Sequence, residues 1–350
     1  MLKIDGSFGE GGGQIVRSSL ALAMVTGTPI TIDKIRAGRD KPGLKRQHAT
    51  GVQAAAEVCG GSVEGCEVGS SRLVFVPGQI RAGDYHFRIG TAGSTTLVLQ
   101  TILPALWLAD GPSTVTLEGG THNPFAPPFD FLAKSYLPLL QRIGIHTRAA
   151  IERPGFHPAG GGKFTVHVQP VERFRPFSLT ERGKRKERRV RALVAKLPRH
   201  IGERQCDTMA RKSGWGRRCC SIEEINNTSC AGNVVVVEME YENVTHVAIA
   251  FGKQGLAAEK VAGRAWRAAK SYLDVDVPVG EHLADQLVLP LAISAHTGGV
   301  GGQFRTSNLS QHTTTHLEVV KMFMDLDIEV QQKGKNDFIT RIHPHFGSSM

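Results

Sequence analysis

The sequence predicts an α/β (α+β) fold: three repeated βαβαββ units forming one large domain, with a smaller α/β domain inserted. Three observations carry this. Gly6 to Gly61 runs strand end, glycine turn, helix, Gly27-Thr28-Pro29, strand, loop, helix, Gly60. Eighty-four residues later Gly90, Gly93, a helix from Ser94, Gly111-Pro112-Ser113, a strand, a loop, a helix and Gly144 repeat that order. From about Val171 the composition turns dense in Arg, Lys and Glu, and after Val277-Pro278-Val279-Gly280 the first style resumes. Residues 1–174 and 278–350 are therefore assigned to the large domain and 175–277 to the insert, an ordinary domain size. The pattern leaves open whether the insert interrupts the third unit or precedes it.

In chain order, Leu2-Lys3-Ile4 alternates as a short strand, and Ile15, Leu20, Leu22, Ala23 and Met24 mark a buried helix ending near Thr26. Leu97, Val98, Ile102, Leu103, Leu106 and Trp107 mark its counterpart. Strand-like runs close both copies: residues 72–76 in the first, 145–150 and 163–168 in the second. Such a unit buries a sheet against two helices and is expected to leave its other sheet face for a neighbouring copy. In the insert, residues 190–195, 234–241 and 246–251 read as strands and about 257–273 as a helix. A polar stretch with Trp215 between them holds four of the six cysteines. In the third copy residues 281–293 are helical and 303–306 strand-like. Ser310 is an N-cap for a helix from Gln311 to about Met324, and strands at 328–332 and 338–342 finish the pattern. Its opening strand has no visible signal.

Composition bounds the function. Apolar content of 41% and charged content of 21% are those of a soluble globular chain, and no apolar run reaches eighteen residues. The N-terminus enters a strand without a basic or apolar leader, so the expected location is cytoplasmic. The six cysteines form no C-x-x-C pair, which argues for reduced thiols and against zinc. The net charge of +10 is clustered, in Arg36, Arg39, Lys41, Lys45 and Arg46 and again in Lys184 to Arg189, and points towards a polyanionic partner.

The stretch Asp5-Gly6-Ser7-Phe8-Gly9-Glu10-Gly11-Gly12-Gly13-Gln14-Ile15-Val16-Arg17 is a strand, a glycine turn and a helix start, a geometry that presents N–H groups to phosphate. It matches neither familiar phosphate motif: Gly13 is followed by Gln14 where a Walker loop has Lys, and Gln14 occupies the sixth position of a dinucleotide pattern begun at Gly9. Glu10, which no packing demands, could hold a divalent cation against phosphates. Arg36 and Arg39 around Gly38 form a two-point phosphate clamp or a solvated loop. Asp285 and Gln286 open a helix. His312 and His316 share one helix face, but position 313 is Thr where a metalloprotease has its Glu. The first turn of a helix favours the neutral, nucleophilic form of an imidazole, which makes His312 the candidate nucleophile.

These residues also carry a resemblance. The strings Asp5-Gly6 through Arg17-Ser18, Ile35 to Arg39 with Lys41-Pro42-Gly43-Leu44, Arg46-Gln47-His48, Gly90 to Gly93 with Leu97 to Gln100, Asn123-Pro124, Pro158 to Gly162 and His282 to Gln286 closely resemble the RNA 3′-terminal phosphate cyclase family. The resemblance implies three βαβαββ units with the small domain inside the third. It implies ATP-dependent conversion of RNA 3′-phosphate ends to 2′,3′-cyclic phosphates through a covalent histidine–AMP and an RNA(3′)pp(5′)A end. Under it His312 is the nucleophile, and Glu10, Arg17, Arg36, Arg39 and Gln47 contact phosphates or a Mg²⁺ or Mn²⁺ ion, with Glu10 as the metal ligand. Gln100 with His282, Leu283, Ala284, Asp285 and Gln286 forms the adenosine pocket, His282 standing where some members have an aromatic that stacks on adenine. The partners implied are RNA ends and ATP, without a membrane and with the oligomeric state open. Competing readings are a non-catalytic relative that binds RNA in ribosome assembly and lacks the histidine, an enolpyruvyl transferase with six such units, and a plain RNA-binding scaffold.

Overall fold

The computed structural model describes residues 1–345. The first unit comprises β1 (Leu2–Asp5), α1 (Gly13–Thr26), β2 (Ile30–Asp33), α2 (Arg46–Cys59), β3 (Ser62–Glu64) and β4 (Leu73–Val76). In the second, β5 (Asp84–Arg88), α3 (Thr95–Leu106) and β6 (Ser113–Gly119) precede a bipartite helix, α4 (Phe129–Phe131) and α5 (Leu137–Ile143), joined by a π turn at Leu132–Tyr136. Strands β7 (Thr147–Arg153) and β8 (Gly162–Val168) close it. The third opens on β9 (Phe177–Leu179). The insert follows: β10 (Arg185–Ala195), α6 (His200–Ser213), β11 (Cys220–Ile225), β12 (Gly232–Tyr241), β13 (Thr245–Phe251) and α7 (Ala258–Leu273). The third unit then resumes with α8 (Glu281–Gly298), β14 (Gly302–Thr306), α9 (Gln311–Phe323), β15 (Leu326–Gly334) and β16 (Asp337–Pro344).

The three units share one topology. The sheets run β1-β2-β4-β3, β5-β6-β8-β7 and β9-β14-β16-β15, each with its first two strands parallel and the others antiparallel. The repeated glycines end helices: Gly60 and Gly144 close the second helix of their units with φ of 58° and 95°, a backbone that a Cβ penalises. Residues 177–179, inside the range assigned to the insert, pair in parallel with β14 and supply the third unit's opening strand.

The packing differs from the expected sheet-to-sheet contact. Helices α1, α2, α3, α8 and α9 meet one another in a continuous core, and the sheets lie outside them. The strand alternation explains this: along β6 and β8 every second residue is buried and its neighbours are more open. The largest fully buried side chain, Trp107, lies at the end of α3 in this core.

The insert is a sheet of order β11-β10-β12-β13 with α6 and α7 on one face, against Val190, Val235 and Val237. The basic run read as a surface stretch is the first half of β10. Helix α6, which the polar stretch concealed, buries Gly202, Gln205, Cys206, Thr208 and Met209, mostly small or polar groups without an apolar period. The opposite sheet face packs on the second unit through Phe156, against Leu193, Val234 and Val236. A buried charge cluster fastens this contact. Asp130 accepts from His122 Nε2 at 2.8 Å and from Arg191, which also donates to Glu238 at 2.8 Å and Glu223 at 3.1 Å. Burial would raise the Asp130 carboxyl, but His122 and Arg191 outweigh it and hold it down at about 2. At the neck, Arg182 donates to the carbonyls of Tyr272, Val275 and Val277 and stacks on the Tyr272 ring at 3.8 Å.

Candidate active site

The glycine turn before α1 meets the first turns of α8 and α9 and the middle of α3, so all three units contribute. Gly9, at φ 55°, lies against Thr315 on α9, where a Cβ would collide with Thr315 Oγ1. That approach lets the Glu10 N–H donate to Thr315 Oγ1 at 3.0 Å, and Gln311 Nε2 donates to Gly9 O at 2.8 Å. Ser310 caps α9 as its sequence indicates, its Oγ accepting from the Thr313 N–H at 3.1 Å.

His312 stands in that first turn, half exposed. Its Nδ1 lies 2.6 Å from Gln14 Oε1, and Gln14 Nε2 is turned to the Asp285 carboxylate. Asp285 also takes His316 Nδ1 at 3.3 Å, next to its own carbonyl at 3.1 Å. A carboxylate only accepts, so Asp285 fixes the Gln14 amide with its nitrogen inwards and its oxygen towards His312. An amide oxygen also only accepts; His312 Nδ1 must therefore carry the proton, leaving the Nε2 lone pair free towards solvent. Burial would raise the Asp285 carboxyl, but the His316 bond and charge, Gln14 and His312 hold it below its usual range, so it stays an anion.

Glu10 closes the other side. Its Oε2 accepts from the Gly12 N–H at 2.8 Å, and Arg39 donates to Oε1 at 2.5 Å and to the Glu10 carbonyl at 2.9 Å, with His312 Nδ1 3.8 Å from Oε1. Arg17 lines the cleft between α1, α3 and α8; burial pushes its guanidinium pKa down, against the pull of Asp285 and Glu10. Among the described residues Arg17 has no hydrogen-bond or ion-pair partner. Arg36 is turned inwards: at φ 53° its guanidinium donates to the carbonyls of Lys41 at 2.7 Å and Gly43 at 2.8 Å, holding the loop that carries Arg39. Gln47 Oε1 accepts from the Ser94 N–H at 3.0 Å and joins the first two units. Beneath the turn His48 is kept neutral, its pKa driven to about 3 by burial and by Arg17, Arg36 and Lys45.

Gln100 on α3 donates to Gln286 on α8, and both line the cleft with Gln14, Asp285 and His316. Leu283 and Ala284, just before Asp285 on α8, are buried in the core, and His282 is exposed on its first turn. The structure thus gathers His312, Glu10, Arg39, Arg17, Gln100, Asp285 and Gln286. It sets Arg36, Gln47, Leu283, Ala284 and His282 around them, in loop, unit contact, core and rim. Gln14, Thr315 and His316 have no assigned site role in the sequence: the partners of Gln14 and Thr315 lie hundreds of residues away, and Asp285, the partner of His316, lies 31 residues away on another helix.

The donor set fits a nucleotide. The cleft opens to solvent, an unpartnered guanidinium lines it, and the buried His316 Nε2 has no hydrogen-bond partner there. Such an orphaned ring nitrogen calls for a polar partner from a ligand. For a metal the set is narrower: among the described residues no three His, Cys, Asp or Glu side chains converge. One carboxylate, Glu10, fits a cation shared with phosphate oxygens and not a protein-only cage. No helix among the described residues is long and apolar enough to cross a membrane.

A solved structure of the enolpyruvyl transferase NikO from Streptomyces tendae aligns with 98% of the chain at 10% identity and a TM-score of 0.36, the chain spanning 48% of its length. The chain is 46% identical over 333 residues, 95% of its length and 92% of the relative's, to an RNA 3′-terminal phosphate cyclase of Koribacter versatilis (strain Ellin345). The family model for RNA 3′-terminal phosphate cyclase matches residues 8–330, glycine turn, insert and His312 included. The chain therefore belongs to the RNA 3′-terminal phosphate cyclase family.

Proposed function

We propose that this protein is an ATP-dependent RNA 3′-terminal phosphate cyclase with His312 as its nucleophile. The observation that carries the reading is the Asp285–Gln14–His312 chain, which leaves a bare imidazole nitrogen beside an acid, two arginines and a polar cleft. His312 Nε2 attacks the α-phosphorus of ATP; the N–P bond forms as the bond to pyrophosphate breaks. The RNA 3′-phosphate oxygen then displaces the imidazole, and the vicinal 2′-OH closes on the 3′-phosphorus, losing its proton and expelling AMP. Through these steps Arg17 and Arg39 stabilise charge on phosphoryl oxygens, and Gln14 keeps the imidazole oriented. A Mg²⁺ or Mn²⁺ ion held by Glu10 would add neutralisation of the triphosphate. Asp285, Gln100, Gln286 and His316 Nε2 supply polar partners for the adenosine.

The test is incubation with ATP labelled at the α-phosphate and a divalent cation. An acid-labile label on the denatured wild type, absent from His312→Ala, is the expected result. A folded wild type that takes up no label would overturn the reading in favour of a non-catalytic RNA-binding relative.

A further inference from the structure

The insert carries a charge that the site above does not use. Residues 175–277 hold 20 Lys and Arg against 12 Asp and Glu, eight of the chain's net ten positive charges. One face of its sheet is covered by the second unit through Phe156, so the outer surfaces of α6 and α7 on the other face point away from the large domain. On α7, Lys260, Arg264 and Arg267 are exposed at successive turns, spanning about 10 Å of helix at about 1.5 Å per residue. From α6, Arg211 and Lys212 add two exposed cations. The side chains converge where α7 has no side chain of its own: at Gly263 an added Cβ would lie 3.8 Å from Lys212 Cε and 3.9 Å from Arg267 Nη1. Among the described residues none of these five cations has an ion-pair partner, whereas Arg204, Arg217 and Lys270 are paired with Glu259, Asp207 and Asp274.

Beside them stand two indoles. Trp215 and Trp266 meet edge to face at 5.5 Å and both remain partly exposed, with the Arg188 guanidinium 5.0 Å over the Trp215 ring. Unpaired cations bordered by partly open aromatic rings are the surface that single-stranded nucleic acid takes, phosphates on the cations and bases on the rings. An apolar protein partner would leave these cations desolvated and unpaired, at a cost in affinity.

We infer that the α6–α7 face of the insert is a second RNA-binding surface, which holds single-stranded RNA away from the reacting end without reading its sequence. This rests on the cyclase reading only for the choice of RNA as the polyanion. The surface has its own readout, because the third tryptophan, Trp107, is fully buried; quenching by added RNA reports on Trp215 and Trp266.

The experiment titrates the full chain with a 20-nucleotide oligouridylate ending in a 3′-OH, which cannot react, at several salt concentrations. Wild type is expected to show quenching that weakens steeply with salt. K260E/R264E/R267E should bind at least tenfold more weakly, with a salt slope shallower by about two, at about 0.7 per single-strand phosphate contact. The K260Q/R264Q/R267Q variant, which removes charge without reversing it, should fall between. With 3′-phosphorylated RNA, KM for the 20-mer should rise in both variants while kcat, and KM for a trinucleotide, stay unchanged. Equal binding by wild type and both variants, or no quenching of wild type, would overturn the inference. If wild type binds and quenches but cyclises neither RNA, the proposed function fails and this surface stands.

Discussion

His312 Nδ1 lies 2.6 Å from Gln14 Oε1, across 298 residues of chain and two structural units. Because Asp285 holds the other end of the Gln14 amide, this contact selects which imidazole nitrogen is left without a partner. Gln14→Leu removes the acceptor while keeping the volume. It should slow covalent adenylylation about 10- to 100-fold, the usual effect of losing a group that orients a working histidine. Gln14→Glu still accepts from Nδ1 and adds a negative charge, so it should recover part of the rate and shift the pH profile upwards. Single-turnover labelling across pH measures both; equal rates for Leu and wild type would remove Gln14 from the mechanism.

Arg39 and Arg36 come from one loop but face opposite ways, and their alanine variants should separate. Arg39 pairs with Glu10 at the rim with its side chain 45% exposed, so Arg39→Ala should change stability by less than about 1 kcal/mol. Activity should fall by on the order of 100-fold through lost charge stabilisation. Arg36→Ala leaves two loop carbonyls without their donor and should cost about 2–4 kcal/mol in urea unfolding.

Two histidines with depressed pKa values set a pH dependence. His48 and His246 both titrate near 3, His48 through burial, Arg17, Arg36 and Lys45, and His246 through burial, Arg182 and His282. In the unfolded chain both take up protons near 6.5, so between about 6.5 and 3 the unfolded state binds more protons and stability falls as pH falls. The slope is about 1.4 kcal/mol per pH unit for each fully responding histidine. His246 stacks on Tyr272 at 3.7 Å, and His246→Phe keeps a ring there while removing one titrating group. The slope of unfolding free energy between pH 6 and 4 should drop by about one proton; an unchanged slope would refute the assignment.

The contact between insert and second unit should be brittle in one place. Asp130→Asn leaves Arg191 with one charge fewer in a cluster whose side chains are 15% exposed or less at Arg191, Asp130 and Glu238. A loss of about 3 kcal/mol is expected. Denaturant unfolding should show it as a lower midpoint, with the transition of the insert separating from that of the large domain.

What the chain disclosed and what it hid follow from distance along the sequence. Helix-ending glycines such as Gly60 and Gly144 are local signals, and they exposed two of the three units directly; Ser310 announced α9 in the same way. Strand β9 is three residues long and gains its meaning from β14, over a hundred residues later, so nothing local marks it. Helix α6 was concealed because it buries Gln205 and Thr208 where a helix ordinarily buries leucines. In the site, the charged residues were legible because glycine turns have no packing use for Glu10 or Arg39. Gln14 was not, since an uncharged amide beside a glycine run acquires a role only when His312 and Asp285 are brought to it. Arg36 looked like Arg39 until its positive φ turned it inwards.

Arg182 has a further consequence. By binding the carbonyls of Tyr272, Val275 and Val277 it ties the chain leaving the insert to the chain entering it, so the large domain sees the whole hundred-residue excursion as one closed loop. Such a junction is indifferent to what is carried beyond it. The insert can change its surface or its charge while β9, α8 and His312 keep their places.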